Sequence, residues 1–259
     1  MIKSARIASA TLVLAVQMFS TATVLAATDK SSSVEVSLNH FHYGYEETVG
    51  SYVADSEKGW MNGAHLSYKK QNPDSKKYWQ IKYDITNQNT HYDGHYLVSG
   101  LPLQSTTENN INDVQAIYGI PISDRKNQYV YAGVGIRNWK RSLSATQNET
   151  YNWGYIPVGY RNEFKIAKKV DAAFDVEVKY MVCGTMKDEE NNRKFTLGNK
   201  PGFKVELPIT YNMNSSWALK VTPWYEYSAI GASNVVSGYY EPDSTNNQYG
   251  MNIGVQYSF

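Results

Sequence analysis

Two pairs of side chains in this sequence have the types and spacing for hydrolytic chemistry. His65 and Ser67 stand two positions apart, so in a strand both side chains point to one face. A histidine can take the proton of a serine hydroxyl, and a carboxylate that orients the histidine completes such a site. The sequence places no acid beside this pair. We therefore interpret His65 and Ser67 as polar residues of a strand that faces a barrel interior.

The second pair is Asp93 and His95, in a polar stretch that we predict to be a loop. An aspartate and a histidine at this spacing could activate a water molecule. A second aspartate pair, Asp-x-Asp, would have to share the work, and the chain contains none. The pair is therefore interpreted as part of a polar loop tip.

Metal ligation is the third chemistry to consider. His40 and His42 share one face of the first predicted strand and could meet His65 on the second. The acidic run 188–192 could hold calcium, but it lacks the glycine and the spaced ligands of a dedicated loop. We predict no catalytic residue, no metal and no cofactor, and we expect the chain not to be an enzyme.

Strands with a two-residue period must position all these side chains. The clearest runs from Val170 to Val182, where apolar residues alternate with Asp171, Asp175, Glu177 and Lys179. About ten such segments occur, each near the ~9–11 residues of a tilted membrane-spanning strand. The pattern predicts an all-β fold, a transmembrane antiparallel up-and-down β-barrel of about ten strands, with eight as the alternative.

Connection lengths agree with this plan, because short turns alternate with long loops. The predicted turns cover 72–76, 123–127, 165–168 and 212–215, and the predicted loops cover 46–58, 87–110, 140–150, 184–200 and 230–246. Two strands are irregular. The apolar phase slips between Leu38 and Phe41, which predicts a bulge, and the outward face of Tyr151 to Phe164 stays undecided.

The amino terminus has the pattern of an export signal. Lys3 and Arg6 precede a largely apolar stretch that ends in small residues near Ala27, which predicts a signal peptide over 1–27 and a barrel over 28–259. Loss of those two cations takes the formal charge from +1 to −1, so no nucleic-acid partner is indicated. Cys183, the single cysteine, permits no intramolecular disulfide and is expected at a loop end.

If the apolar face meets lipid, the alternate face carries charges of both signs into the lumen. In a narrow barrel such desolvated charges would pair across the interior, which predicts a plug rather than a wide channel. The predicted lumen-lining residues are Lys82, Asp84, Arg137, Arg161, Asp175, Glu177, Lys179, Lys204, Glu206, Lys220 and Glu226.

The last strand, Tyr249 to Phe259, alternates apolar and polar residues and ends on an aromatic. It resembles the C-terminal strand of bacterial outer-membrane barrels, which implies recognition by the barrel-assembly machinery through Tyr257 and Phe259. With the turn pattern and the segments 203–208, 222–227 and 240–242, the mature chain is similar to small outer-membrane β-barrel proteins of the opacity and OmpA-like membrane-domain group. That resemblance implies a Gram-negative outer membrane and contact with its lipid.

Three functions follow as expectations. The first is a structural or surface-interaction barrel whose long loops meet an extracellular ligand. The second is a narrow porin-like channel for small polar solutes. The third and weakest is an outer-membrane hydrolase, since His65 and Ser67 resemble the pair of lipid A deacylases and Asp93 and His95 resemble half of the omptin protease signature.

Overall fold

The structure is a computed structural model that describes residues 30–95 and 99–259. The predicted signal peptide over 1–27 lies outside the described residues. Twelve strands, all paired antiparallel, make one sheet. They are β1 (Ser32–Val49), β2 (Tyr52–Gln71), β3 (Tyr78–His95), β4 (Pro102–Pro121), β5 (Gln128–Ser142), β6 (Asn148–Ala167), β7 (Val170–Asp188), β8 (Arg193–Thr196), β9 (Pro201–Glu206), β10 (Ile209–Asn212), β11 (Trp217–Ile230) and β12 (Asp243–Ser258).

The sheet closes into a barrel of ten wall strands. β1 pairs with both β2 and β12, so the first and last strands join. β8, β9 and β10 are successive pieces of one wall strand between β7 and β11. One break between the pieces falls at Pro208, which has no N–H to donate to a ladder, although its carbonyl still accepts from Ala173. The prediction of about ten strands is confirmed, and the eight-stranded alternative is wrong.

Side chains alternate between lipid-facing and lumen-facing positions along every wall strand. The outward set is apolar and exposed, as at Leu38 (72% exposed) and Ile136 (65%), while inward carboxylates such as Glu177 are buried. A soluble barrel would bury its apolar set, so this inverted arrangement needs a hydrocarbon surround. The apolar band forms the membrane belt of the barrel.

Tight turns define one end of the barrel, which we call the inner end. They cover 72–77, 122–127, 168–169 and 213–216, close to the predicted positions. Both ends of the described chain lie at this end, where the amide of Phe259 donates to the carbonyl of Ser32. In membrane barrels the end with short turns faces the periplasm.

The opposite, outer end differs from the prediction. Four of the five predicted long loops are mostly continuations of the strands: the connection between β1 and β2 is two residues, Gly50 and Ser51. The alternation persists there because aromatic and acidic side chains still point inward, while outward positions such as Glu46 and Lys58 are polar. These outer extensions rise beyond the membrane belt. Of the predicted loops, only 231–242 remains largely irregular.

The structure also shows how the two strands that were irregular in the sequence, β1 and β6, are arranged. β1 pairs in unbroken register through Leu38 and Phe41, so the predicted bulge there is wrong. The apparent slip arises because the apolar side chains change from the outward to the inward face at Phe41, without an inserted residue. In β6, Tyr151, Trp153 and Tyr155 face inward and are buried.

Cys183 is not at a loop end. It lies inside β7 with φ near 54°, at the point where the register between β6 and β7 shifts. It is the extra residue of a bulge, and its side chain is exposed.

Aromatic rings fill the outer half of the lumen. Phe41, Tyr43, Trp139 and Tyr151 belong to one buried cluster of aromatic and apolar side chains. Glycine makes room for rings deeper down: a Cβ at Gly135 would lie 2.1 Å from the ring of Tyr155. Among the described residues, no helix is long and apolar enough to cross a membrane.

Candidate functional site

A layer of paired charges crosses the lumen within the membrane belt. Its centre is Glu226 on β11, which accepts from Arg137 on β5 at 2.8 Å and from Lys179 on β7 at 2.9 Å. Arg137 also binds Asp113 of β4 at 2.6 Å, and Glu177 lies 3.8 Å from Lys179. These contacts link four strands of the wall, β4, β5, β7 and β11, across the interior. Each charge therefore has a partner of opposite sign where water is scarce.

A second group of pairs adjoins the first. Glu206 on β9 contacts its neighbour Lys204 at 2.9 Å and Lys82, across the barrel on β3, at 3.3 Å. Asp84, also on β3, contacts His65 at 2.8 Å. Lys204 lies 5.1 Å from the ring centre of Trp224, a cation–π distance.

The layer ends toward the inner end with two further pairs. Lys220 binds Glu35 at 2.5 Å, and Asp175 accepts from Tyr131 at 2.5 Å and from Arg161 at 3.3 Å. All the lumen-lining residues that we named from the sequence therefore point inward and contact a group of opposite charge. They form several ion-paired groups at successive depths of the lumen.

Cavity volumes divide the lumen in two. Two cavities beside Trp153, in the outer half of the lumen, have volumes of about 10 and 20 Å³. Each has room for about one water molecule. Toward the inner end, a polar cavity of about 870 Å³ opens below the charged layer. We call it the inner vestibule, and its lining includes Glu35, Lys69, Arg161 and Lys220.

A second charged site, which sequence reasoning missed, lies in the outer extensions. Arg141 on β5 is 2% exposed and donates to Glu57 (2.6 Å), Glu47 (2.8 Å) and Glu149 (3.0 Å). Asp55 stands 3.7 Å from the same guanidinium. We call Arg141 and the carboxyl groups around it the outer acid cluster. Its acids lie in stretches that we predicted to be loops, where alternation was not tested.

Glu241 ties the irregular segment 231–242 to the outer acid cluster. The hydroxyl of Tyr151 lies 2.9 Å from Glu241 and 3.2 Å from Glu149, both measured to carboxyl oxygens. A hydroxyl has one proton to donate, so two ionised carboxylates cannot both receive it fully. A proton held by one of the two acids relieves this conflict.

Burial and like charge perturb the acids of this cluster, which stands outside the membrane belt. Burial raises the pKa of Asp55 to about 8, and neighbouring Glu47 adds to the shift. Burial likewise raises the pKa of Glu241 to about 8, and the like charges of Glu149 and Glu47 add to the shift. The pKa of Glu149 is raised by burial, against the attraction of Arg141.

The two pairs with the spacing for hydrolysis lie on different faces of the wall, His65 and Ser67 in the lumen and Asp93 and His95 outside. His65 does have an acid, Asp84, which the sequence did not indicate because it lies on the neighbouring strand. The hydroxyl of Ser67, however, accepts from Gln80 at 2.7 Å. Asp93 is not in a loop: it ends β3 together with His95, and both side chains are exposed and point outward.

The histidines do not converge on a metal. His40 and His42 face outward near Trp60, whose ring stacks on His40 at 4.9 Å, whereas His65 faces the lumen. Within 30–95 and 99–259, no three His, Cys, Asp or Glu side chains are arranged so that they could hold a metal ion. At the inner end, Tyr257 packs between Trp217 (4.8 Å) and Phe259 (5.8 Å).

Comparisons with known proteins bear on the fold. No protein-family model and no curated protein sequence matches the chain. The crystal structure of outer membrane protease OmpT from Escherichia coli superposes with a TM-score of 0.59 at 10% identity, over 91% of this chain and 99% of that one. The chain is an outer-membrane β-barrel. Its closed wall, short inner turns and outward apolar belt place it in the outer membrane of a Gram-negative cell, surrounded by lipid.

Two further solved structures were found at lower similarity. The translocator domain of autotransporter NalP from Neisseria meningitidis has 9% identity and a TM-score of 0.44, over 98% of each chain. The attachment invasion locus protein Ail of Yersinia pestis has 9% identity and a TM-score of 0.36, over 87% of this chain and 99% of that one.

Proposed function

We propose that this protein is a structural or surface-interaction barrel of the outer membrane whose lumen is plugged by paired charges. One observation carries the proposal. Glu226 receives both Arg137 and Lys179 across the lumen, and the cavities beside Trp153 have room for about one water each. A hydrated ion needs a continuous water path, and the small size of these cavities together with the paired charges supports a plug.

The test is single-channel conductance of the folded barrel in a planar bilayer. We expect silence from the wild type and from the variant Lys187→Ala, a matched change at the exposed outer end. Lys204→Ala and Glu206→Ala probe the charged layer itself. Reproducible conductance steps from the folded wild type, altered by Lys204→Ala but not by Lys187→Ala, would instead establish the narrow pore.

We further propose that the outer end recognises an extracellular partner. The segment 231–242 exposes Val235, Tyr239 and Tyr240, and the guanidinium of Arg193 lies 3.9 Å from the ring centre of Tyr239. Exposed aromatic and polar side chains on a rigid wall suit recognition. Loss of binding to a host or cell surface on replacing Tyr239 and Tyr240 with serine would support this role, and unchanged binding would oppose it.

We propose that the protein is not a hydrolase. The hydroxyl of Ser67 accepts from Gln80, no hydrogen bond joins it to His65 within 30–95 and 99–259, and Asp93 and His95 point outward from the wall. This geometry brings no nucleophile and base together. Peptidase or lipid-deacylating activity of the pure barrel that disappears in Ser67→Ala or His95→Ala would overturn the proposal.

We also propose that Tyr257 and Phe259 carry the signal for the barrel-assembly machinery. Their stacked rings stand at the inner end of β12, on the wall where the barrel closes. Phe259→Ala should lower the amount of assembled barrel in cells without lowering the thermal stability of barrel refolded in detergent. Equal assembly of Phe259→Ala and wild type in cells would remove this role.

A further inference from the structure

The inner vestibule is a built polar cavity with an excess of cations. Its volume of about 870 Å³ falls in the range of small-molecule sites, and it opens at the inner end beneath the charged layer. Its lining carries three acids, Glu35, Glu163 and Asp171. Twice as many cations face them: Lys30, Lys69, Arg125, Arg161, Lys165 and Lys220.

Ion pairing inside the vestibule is incomplete. Lys220 is matched by Glu35 at 2.5 Å and Lys165 by Asp171 at 3.2 Å. Glu163 must serve two cations, because the same oxygen lies 3.5 Å from Lys69 and 2.9 Å from Arg161.

A carboxylate deeper in the lumen, Asp175, is the second partner of Arg161 at 3.3 Å. Within residues 30–95 and 99–259, Lys69 has no such second carboxylate. Lys69, on the wall of the vestibule, therefore shares its one carboxylate partner, Glu163, with Arg161.

Lys69 is held in place rather than free to move. Its side chain is 21% exposed, and its ammonium lies 4.3 Å from the ring centre of Tyr78 and 5.9 Å from that of Tyr129. Such a lysine can donate to an arriving anion without a large loss of side-chain freedom. The amides of Asn127 and Gln80 line the same cavity and already donate to Glu163 and Ser67, respectively.

The rim of the vestibule adds two cations without carboxylate partners. Arg125, in the turn between β4 and β5, makes no ion pair with any residue of 30–95 or 99–259. The ammonium of Lys30 contacts the carbonyl oxygen of Ser215. The rim and the wall at Lys69 thus form two separate places where a negative charge is missing.

We propose that the inner vestibule binds a small polar molecule with at least two anionic groups, carboxylates or phosphates, that enters from the periplasmic side. One group would contact Lys69 beside Glu163, and the other would contact Arg125 at the rim. Charge-assisted bonds of this kind are stronger than neutral ones, and the positive mouth raises the local concentration of anions. The site needs no passage through the charged layer, so it stands apart from the plug.

Isothermal titration calorimetry on the folded barrel in neutral-detergent micelles tests the proposal. Citrate is the probe with several carboxylates, inorganic phosphate is the single-group probe, and glucose is the neutral control. We expect citrate to bind, phosphate to bind more weakly and glucose to give no heat. Added salt should weaken citrate binding, because exposed charges contribute at the rim.

Variants locate the site. Lys69→Gln should weaken citrate binding about tenfold, and Arg125→Gln about threefold, as expected for loss of one charge-assisted contact inside and one at the exposed rim. Lys140→Gln removes a matched cation at the outer end and should change nothing. Heat-modifiable migration on a gel verifies that each variant is folded, and Arg125 lies in an exposed turn that tolerates the change.

Three results would overturn the inference. They are no citrate heat from the folded wild type, equal citrate affinity in wild type, Lys69→Gln and Arg125→Gln, or phosphate binding as tightly as citrate. None of them bears on conductance, which is measured separately, so this site and the plug can fail independently.

Discussion

At the scale of single residues, Arg141 does the most to hold the outer end together. Three carboxylates accept from its guanidinium and a fourth lies within 4 Å, at a site where the side chain is 2% exposed. The ring of Tyr45 packs at 4.8 Å from the same group. Without the cation these acids would face one another in a region of low polarity.

Replacing Arg141 with methionine should therefore destabilise the outer extensions by about 3–5 kcal/mol, the usual cost of removing one partner from a buried charge cluster. Hydrogen exchange should rise in residues 43–49 and 52–58 and stay unchanged in the membrane belt. Lys140→Met, on the adjacent outward position, is the matched control and should be neutral. Unchanged exchange in Arg141→Met would mean that the acids are neutral without Arg141.

At the scale of elements, the segment 231–242 lies at the outer end and is attached through an acid. Glu241 faces Tyr151 and Glu149 of β6, Glu47 of β1 and Arg141 of β5. Its backbone pairs with Ser233, which closes the segment on itself. The attachment is favourable while Glu241 keeps its proton and becomes unfavourable when it ionises beside two like charges.

The pH dependence follows from the raised pKa of Glu241. The closed arrangement binds a proton that the open one releases, so closure is most stable below pH 4.5 and weakens as the pH rises to about 8. The slope is at most about 1.4 kcal/mol per pH unit. A fluorophore at Val235→Cys, in a Cys183→Ser background, should report increasing opening over that range.

Glu241→Gln should remove the part of this pH dependence that Glu241 contributes, because the amide cannot ionise, while Glu149 and Asp55 remain titratable. Glu189→Gln, at an exposed acid of the turn after β7, should retain the wild-type profile. Opening that grows as the pH falls would have the wrong sign for this attachment.

Alternation in the sequence predicted some strands with their correct faces and missed the outer parts of others. Alternation identified β7 and β12 with their correct faces, because one face meets lipid and must be apolar throughout. Alternation did not identify the outer extensions, because their outward side chains, such as Glu46 and Lys58, are polar and their inward side chains include Tyr, Trp and Glu. Nothing local marks which acids there meet Arg141, because Glu57 and Glu149 are far apart in the chain.

At the scale of the whole molecule, the charged layer ties distant walls together. Glu226 alone links β11 to β5 and β7. Its two contacts span the lumen, so they oppose changes in the cross-section of the barrel. The sequence predicted charges in the lumen, but the choice of partners depends on how the sheet curls, which strand patterns do not contain.

Glu226→Gln should lower the stability of the barrel by about 3 kcal/mol, because Arg137 and Lys179 then share a buried deficit of one negative charge. The temperature at which the compact gel band disappears is the measurement. Asp124→Asn removes one negative charge from an exposed turn and should leave that temperature unchanged. Equal temperatures for both variants would show that the layer adds no stability.

The length of the strands determines how far the barrel extends beyond the membrane. Strands of 20 residues, such as β2 and β4, extend about 50 Å along the barrel axis at the usual tilt, whereas the apolar band of such barrels is about 25 Å tall. Most of the surplus lies on the outer side, because the inner turns are short. The rim therefore stands about 20 Å above the hydrocarbon, carried by paired strands that no lipid surrounds.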